Sequence, residues 1–448
     1  MISAFAKANP DLFVAVALDA DTYMNPFFAG REIMDYNPGM IRQFREWLQG
    51  SGPYAGHPTD GAPDLRAYRR ASTFTVPQIA KIARRNWTRW DEVDPPRKFP
   101  GSYVTPEIPE GSMRVWDDPW WHLWDEFRKH IVDLHYDELS TWIREAGIPK
   151  SRIFSAQGFI RPDPGNAPFA MHVSSRRQNY DSSGVSVEGS IPRDGHLGVI
   201  IYGEAARNDV PMEDGHSMFA TFARMDPGWG VVEFNSADLK NPLILPTYAQ
   251  AYGSFRDIFN FDAREIAFMA WNGSNGQFAG QPGYVSYTAW RGTPAEEALR
   301  DFMISHAELP PGARLWTFGA ARHADSDGWT SSHGTLTPIE GAIRIGTTSG
   351  VTTLVSPPDQ VFRTKGVSRL VVMATSGKAR IEKIEGRSGG QEWQVLPISV
   401  DDGRGMVDIF WQDAAPKLPG VVEQLRVGLR SEAGVPMTIS DIALIPVK

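Results

Sequence analysis

Up to about residue 309, short unbroken apolar runs alternate with stripes of helical period. The runs read as strands are Leu12–Leu18, Arg152–Ala156, Gly184–Glu188, Leu197–Tyr202, Gly230–Phe234 and Glu265–Ala270. Most are continuous in polarity, as expected of parallel strands covered on both faces. Between them, Asn37-Pro38 reads as an N-cap and N1 proline ahead of Met40, Ile41, Phe44 and Leu48, with Gly50 closing the helix. Asp118-Pro119 opens a long helix whose apolar stripe includes Leu123, Trp124, Phe127, Ile131 and Leu134, stopped by Gly147 and Pro149. Thr293-Pro-Ala-Glu296 is a capping box before Leu299, Phe302 and Met303.

This alternation predicts a parallel α/β fold, and the chain length with functional groups at strand ends favours a (β/α) TIM-type barrel over residues 1–309. A Pro-, Gly- and charge-rich stretch at about 51–115 reads as a long loop insertion, with one helical piece near Val76–Arg85. Pro310-Pro311-Gly312 is the natural linker. Beyond it the apolar period falls to two, as in Leu425, Val427 and Leu429, and residues 313–448 are expected to form an antiparallel β-sandwich. That sandwich has two readings, sugar binding and docking onto the barrel. A full barrel needs eight strands, and only five or six precede the linker. The expectation is a barrel incomplete at its N-terminus, of which this chain is a fragment.

Composition narrows the function. The 448 residues carry a net charge of -8 and no lysine-arginine block, which argues against a nucleic-acid partner. Cysteine is absent, so disulfides, thiolate metal sites and cysteine nucleophiles are excluded. No apolar run reaches the ~20 residues of a membrane span, and no signal peptide opens the chain. His130 and His135 lie five apart and do not form a helical metal-ligand pair, and phosphate loops, dinucleotide fingerprints and serine elbows are lacking. No cofactor and no metal are implied. Fifteen tryptophans, among them Trp116, Trp120, Trp121, Trp124, Trp229, Trp271 and Trp290, suit either sugar faces or cores.

The chemistry centres on Glu233, delivered to a polar turn by Val231, Val232 and Phe234. Ionised carboxylates are seldom buried without a partner or a task, so Glu233 is either a sugar-cleaving group or a strand-end acid paired with arginine. A later run, Ile266 to Trp271, ends in an indole and the amide of Asn272.

The order of segments resembles clan A glycoside hydrolases, most closely the family 42 β-galactosidases, over roughly residues 1–305. Ala15-Val-Ala-Leu-Asp-Ala-Asp-Thr-Tyr23 is similar to the family's fourth strand, Phe44-Arg-Glu-Trp-Leu48 to the helix after it, Ile153-Phe-Ser-Ala-Gln157 to strand five, Gly184–Glu188 to strand six, Gly230–Phe234 to strand seven and Ile266–Trp271 to strand eight. The resemblance implies Glu233 as nucleophile and Trp271 as the platform under the sugar. Where the family has Asn-Glu as acid/base pair, this chain has Ala20-Asp21, so the matching acid is Asp21. Asp19 and Glu188 are the alternatives, and both aspartates suit a plain turn cap before Asn25-Pro26. Two retaining carboxyls are expected about 5–5.5 Å apart.

The expected catalytic pair is therefore Glu233 and Asp21. Asp19, Tyr23, Gln157, Glu188, Tyr202, Asn235, Trp271 and Asn272 are the expected substrate contacts. The expected partner is an oligo- or polysaccharide with a β-glycosidic bond, cleaved with retention. The alternative is a carbohydrate-binding protein that kept the pocket and lost the chemistry.

Overall fold

The computed structural model of the chain describes residues 2–20, 36–51, 73–96, 119–158, 187–202, 215–235, 246–269, 271–272, 289–318, 326–346, 350–376, 380–414, 420–431 and 435–447. The calls on Asp21, Tyr23 and Trp116 lie outside them.

Helix caps appear where the residues promised them. Asn37 accepts the Met40 amide at 3.0 Å and starts α2 (Pro38–Leu48), which follows the short α1 (Ile2–Ala8). α2 buries Phe44, Trp47 and Leu48 against Trp120, Trp124 and Phe127. The same aromatic cluster takes Ile79 of α3 (Val76–Ala83) and Val93, so the described part of the inserted stretch is packed on the two helices. Trp120, Trp124 and Phe127 belong to α4 (Pro119–Glu145), a 27-residue helix roughly 40 Å long. Its second half lays Val132 and Tyr136 on the sheet beside Phe13, Leu18 and Ile153.

That sheet has five parallel strands in sequential order: β1 (Val16–Ala20), β2 (Ile153–Gly158), β3 (Gly198–Tyr202), β4 (Gly230–Asn235) and β5 (Ile266–Phe268). α5 (Met218–Met225) links β3 to β4, α6 (Tyr248–Asn260) links β4 to β5, and α7 (Pro294–His306) follows β5. One face carries Leu197, Val199, Ile201, Val231 and Phe234, which join Phe219, Phe222, Phe255, Ile258 and Phe302 of these helices in a single core. Asp226 ties the N-terminal ends of β3 and β4 together. It accepts the Leu197 amide at 2.7 Å, the Gly228 amide at 2.8 Å and His196 Nδ1 at 3.0 Å. Burial drives this carboxyl upward, but the bonds from His196 and the two amides outweigh it and hold it below the usual range.

The expected TIM barrel is not present. Closure needs the last strand to return to the first, and among the described residues β1 pairs only with β2 and β5 only with β4. The sheet is an open, half-barrel wall. Of the expected strand Gly184–Glu188 only the last two residues are described: Glu188–Ser190 is a 3₁₀ turn packed on α4 and β2, and the described neighbour of β2 is Gly198–Tyr202.

Past Pro310 every pairing among the described residues is antiparallel. β6 (Arg314–Thr317) and the strand Ala342–Gly346 both pair with Met437–Val447, whose other edge meets Val367–Ser376. A second sheet runs through Arg380–Arg387, Gln424–Arg430 and Val351–Val355. Between the sheets lies a separate core that includes Trp316, Trp329, Leu370, Ile384, Val427 and Ile442. With these strands the described chain is mainly β, which also departs from the α/β expectation.

Candidate functional site

In an unbroken strand, side chains alternate between faces, so Val231 and Glu233 would share one and Glu233 would enter the apolar core. The structure avoids this with one extra residue. Val199 pairs with Val231 but Ile200 with Glu233, and on the other side Val231 pairs with Ile266 while Phe234 pairs with Phe268. β4 is therefore bulged at Val232 and Glu233 relative to both neighbours, an uncommon feature in parallel sheets. Val231 and Phe234 both reach the helix-side core, and Glu233, in register with Ile200, falls on the opposite face. It is half-buried there.

Asn235 follows on the same face at the end of β4, paired in register with Tyr202. Its amide is buried at 1% exposure and donates from Nδ2 to Met269 O at 3.2 Å, fixing the end of β4 to the end of β5. Two residues on, Trp271 is half-buried with its ring 5.9 Å from Phe268, edge to face, against the helix-side core. Asn272 beside it is exposed. Glu233, Asn235, Trp271 and Asn272 thus gather at the C-terminal ends of β4 and β5, together with the backbone of Tyr202. The side chain of Tyr202 lies outside the described residues.

Three expected contacts lie elsewhere. Gln157 is fully buried in register with Val199, hence on the helix side, where its Oε1 accepts from Tyr136 of α4 at 3.2 Å. Asp19 is held by His135 Nε2 of α4 at 3.0 Å, with its side chain 64% exposed. Glu188 sits in the 3₁₀ turn on α4. Of the candidate acids, only Glu233 is placed among the described residues on the inner face near the strand ends.

A titratable group that the sequence reading passed over is Glu265, at the other end of the same sheet. A Cβ on Gly230 would come within 2.8 Å of Glu265 Cγ and 3.0 Å of Phe154 Cε1, so the glycine makes room for both. Burial raises the Glu265 carboxyl to about 7. The signal was present in the sequence: an acid opening an apolar strand opposite a strand-initial glycine. Among the described residues no three His, Asp or Glu side chains converge as a metal site, and no helix is long and apolar enough to cross a membrane.

Of the two uses open to the tryptophans, core packing takes several of them. Trp124, Trp229 and Trp290 are completely buried, and the Trp229 indole donates to Phe261 O at 2.8 Å.

No family model and no curated sequence matches this chain. Among solved structures, a low-affinity xylan-binding module of Roseburia intestinalis is 10% identical with a TM-score of 0.21, covering 30% of this chain and 93% of the module. A xylan-binding domain from Paenibacillus barcinonensis is 14% identical with a TM-score of 0.20, covering 30% of this chain and 94% of its own. The ligand-free Crh5 transglycosylase is 14% identical with a TM-score of 0.19, over 31% of this chain and 86% of that one. Likeness at this level assigns neither a fold family nor a ligand to this chain.

Proposed function

We propose that this protein binds carbohydrate on the face of its parallel sheet opposite the helix-side core, at the C-terminal ends of β3, β4 and β5. The observation that carries the reading is the bulge at Val232 and Glu233, which removes a carboxylate from the core and presents it half-buried beside Asn235. Bulges are over-represented next to functional sites because they re-aim one side chain without unravelling the strand. A rigid carboxylate with amides nearby supplies acceptors and donors for vicinal hydroxyls, and a hydrogen bond to a charged group contributes about 1.5–3 kcal/mol. Calorimetric titration with β-linked gluco-, xylo- and galacto-oligosaccharides tests this. Glu233→Gln is expected to weaken the best ligand tenfold or more, and undiminished binding refutes the assignment.

Retaining hydrolysis is the second reading, supported by the order of the parallel strands and the place of Glu233 on the fourth of them. It would make the chain a β-galactosidase-like relative of clan A, with Glu233 attacking the anomeric carbon and Asp21 as acid/base. Binding is favoured because Asp19 is engaged by His135 and Glu188 lies in a separate turn, leaving one candidate carboxylate at the site among the described residues. Turnover of aryl β-galactosides by the wild-type chain, lost in Glu233→Gln, would select hydrolysis. Binding with no turnover selects the first reading.

A further inference from the structure

A cleft of about 410 Å³ opens between α6, α7 and the sandwich, away from the face that carries Glu233. That volume falls within the range of small-molecule sites, and junctions between packed units are where such sites concentrate. One wall is the stacked pair Tyr248 and Tyr252, with ring centroids 6.0 Å apart and planes at 14°. Both tyrosines are only 6% exposed, so they form a wall and not a platform for a sugar face.

Their hydroxyls are already engaged. Tyr248 donates to Asp301 Oδ2 at 2.8 Å, and the Tyr252 oxygen lies 3.1 Å from Thr317 Oγ1 and 3.4 Å from Ser305 Oγ. Ser305 in turn donates to the α7 carbonyls of Asp301 and Phe302 at 3.0 Å. The Tyr248 proton is thus committed to Asp301, and the carboxylates of Asp301 and Asp441 are the acceptors that line the space. Asp441, paired in register with Thr317, adds a half-buried carboxylate across the cleft. Among the described residues no lysine, arginine or histidine lines the space, and neither Asp301 nor Asp441 has a cationic partner.

We propose that this cleft binds a small organic cation bearing a primary ammonium group, held between Asp301 and Asp441. An ammonium brings three donors and a positive charge to a site that offers acceptors and negative charge. A neutral polyol would leave Asp441 uncompensated, and an anion would be repelled. Burial already raises the Asp441 carboxyl above its ordinary range, the condition of an acid lacking its counter-charge.

The probe is 1,4-diaminobutane, titrated calorimetrically into the full chain, with 1,4-butanediol as the uncharged control. Saturable binding of the diamine alone is expected, weakened at least tenfold by Asp441→Asn. Ile304→Lys, at a cleft-lining position 72% exposed on α7, is expected to weaken it similarly by tethering an ammonium at the rim, with no demand on the core. Absence of saturable diamine binding up to about 10 mM would overturn the proposal. Equal binding of the diol, or diamine binding that both variants leave unchanged, would do the same.

Discussion

Glu265 is a half-buried carboxylic acid immediately before β5, and the consequence of that burial for stability has a definite sign. Its folded carboxyl titrates at about 7 against an ordinary 4.5. Between those values the folded chain keeps a proton that the unfolded chain has lost, so stability falls as pH rises through this window and stays reduced above it. Glu265→Gln removes the titration. The variant is expected to match the wild type near pH 4 and to exceed it by about 1–3 kcal/mol at pH 8, allowing for partial solvent screening. Urea unfolding at the two pH values measures this, and an equal difference at both would contradict it. Single residues also mark how far the sequence could be read. The carboxylate at 233 was visible because an acid following Val231 and Val232 is anomalous. Its orientation was not, because alternation predicts the wrong face and a bulge leaves no trace in one sequence. The tryptophans left two uses open because indoles fill large cores as readily as they line sugar sites, and Trp124, Trp229 and Trp290 do the former.

Among elements, the pairing of β2 with β3 is the tightest constraint. A Cβ on Gly198 would sit 1.8 Å from the Ser155 carbonyl oxygen, a backbone atom with no rotamer to move. Gly198→Ala is therefore expected to separate the strands and destabilise the chain by about 3 kcal/mol or more. An unfolding free energy, measured by denaturant titration, lowered by less than about 0.5 kcal/mol would show that the strands can part without cost. The helices were the most legible elements, since their signals are local. Asn37 caps α2 and Thr293 caps α7 through side chains that need only the next three residues. Strand limits were less legible. The run Leu12–Leu18 yields a strand only from Val16, because Leu12 and Val14 are exposed at 73% and 70% ahead of the first pairing with β2. Gly184–Glu188 had the composition of a strand, yet Gly198–Tyr202 takes the place beside β2, a choice made by partners that no local pattern records.

For the whole molecule, the two cores are joined by buried charge. Arg314 of β6 is 2% exposed and grips Asp262, just past α6, with both terminal nitrogens at 2.7 Å, while also donating to Val361 O at 2.9 Å. Removing one member of such a pair strands the other, so Arg314→Ala is expected to cost about 3 kcal/mol. It should also split a single thermal transition into two, which tryptophan fluorescence and calorimetry would resolve; one cooperative transition at an unchanged midpoint would mean the junction contributes little. The parallel order of the first sheet was readable from its apolar runs, whereas its failure to close was a matter of counting strands that a barrel reading supplies by analogy. The antiparallel sheets hold a last consequence. Among the described residues, β6, the first strand after the linker, pairs with no other strand than Met437–Val447, more than a hundred residues further on. On the ribosome, Arg314 and its neighbours must therefore wait, edge uncovered, until that distant segment has emerged, and a chaperone that shields β6 during the interval would raise the yield of folded chain.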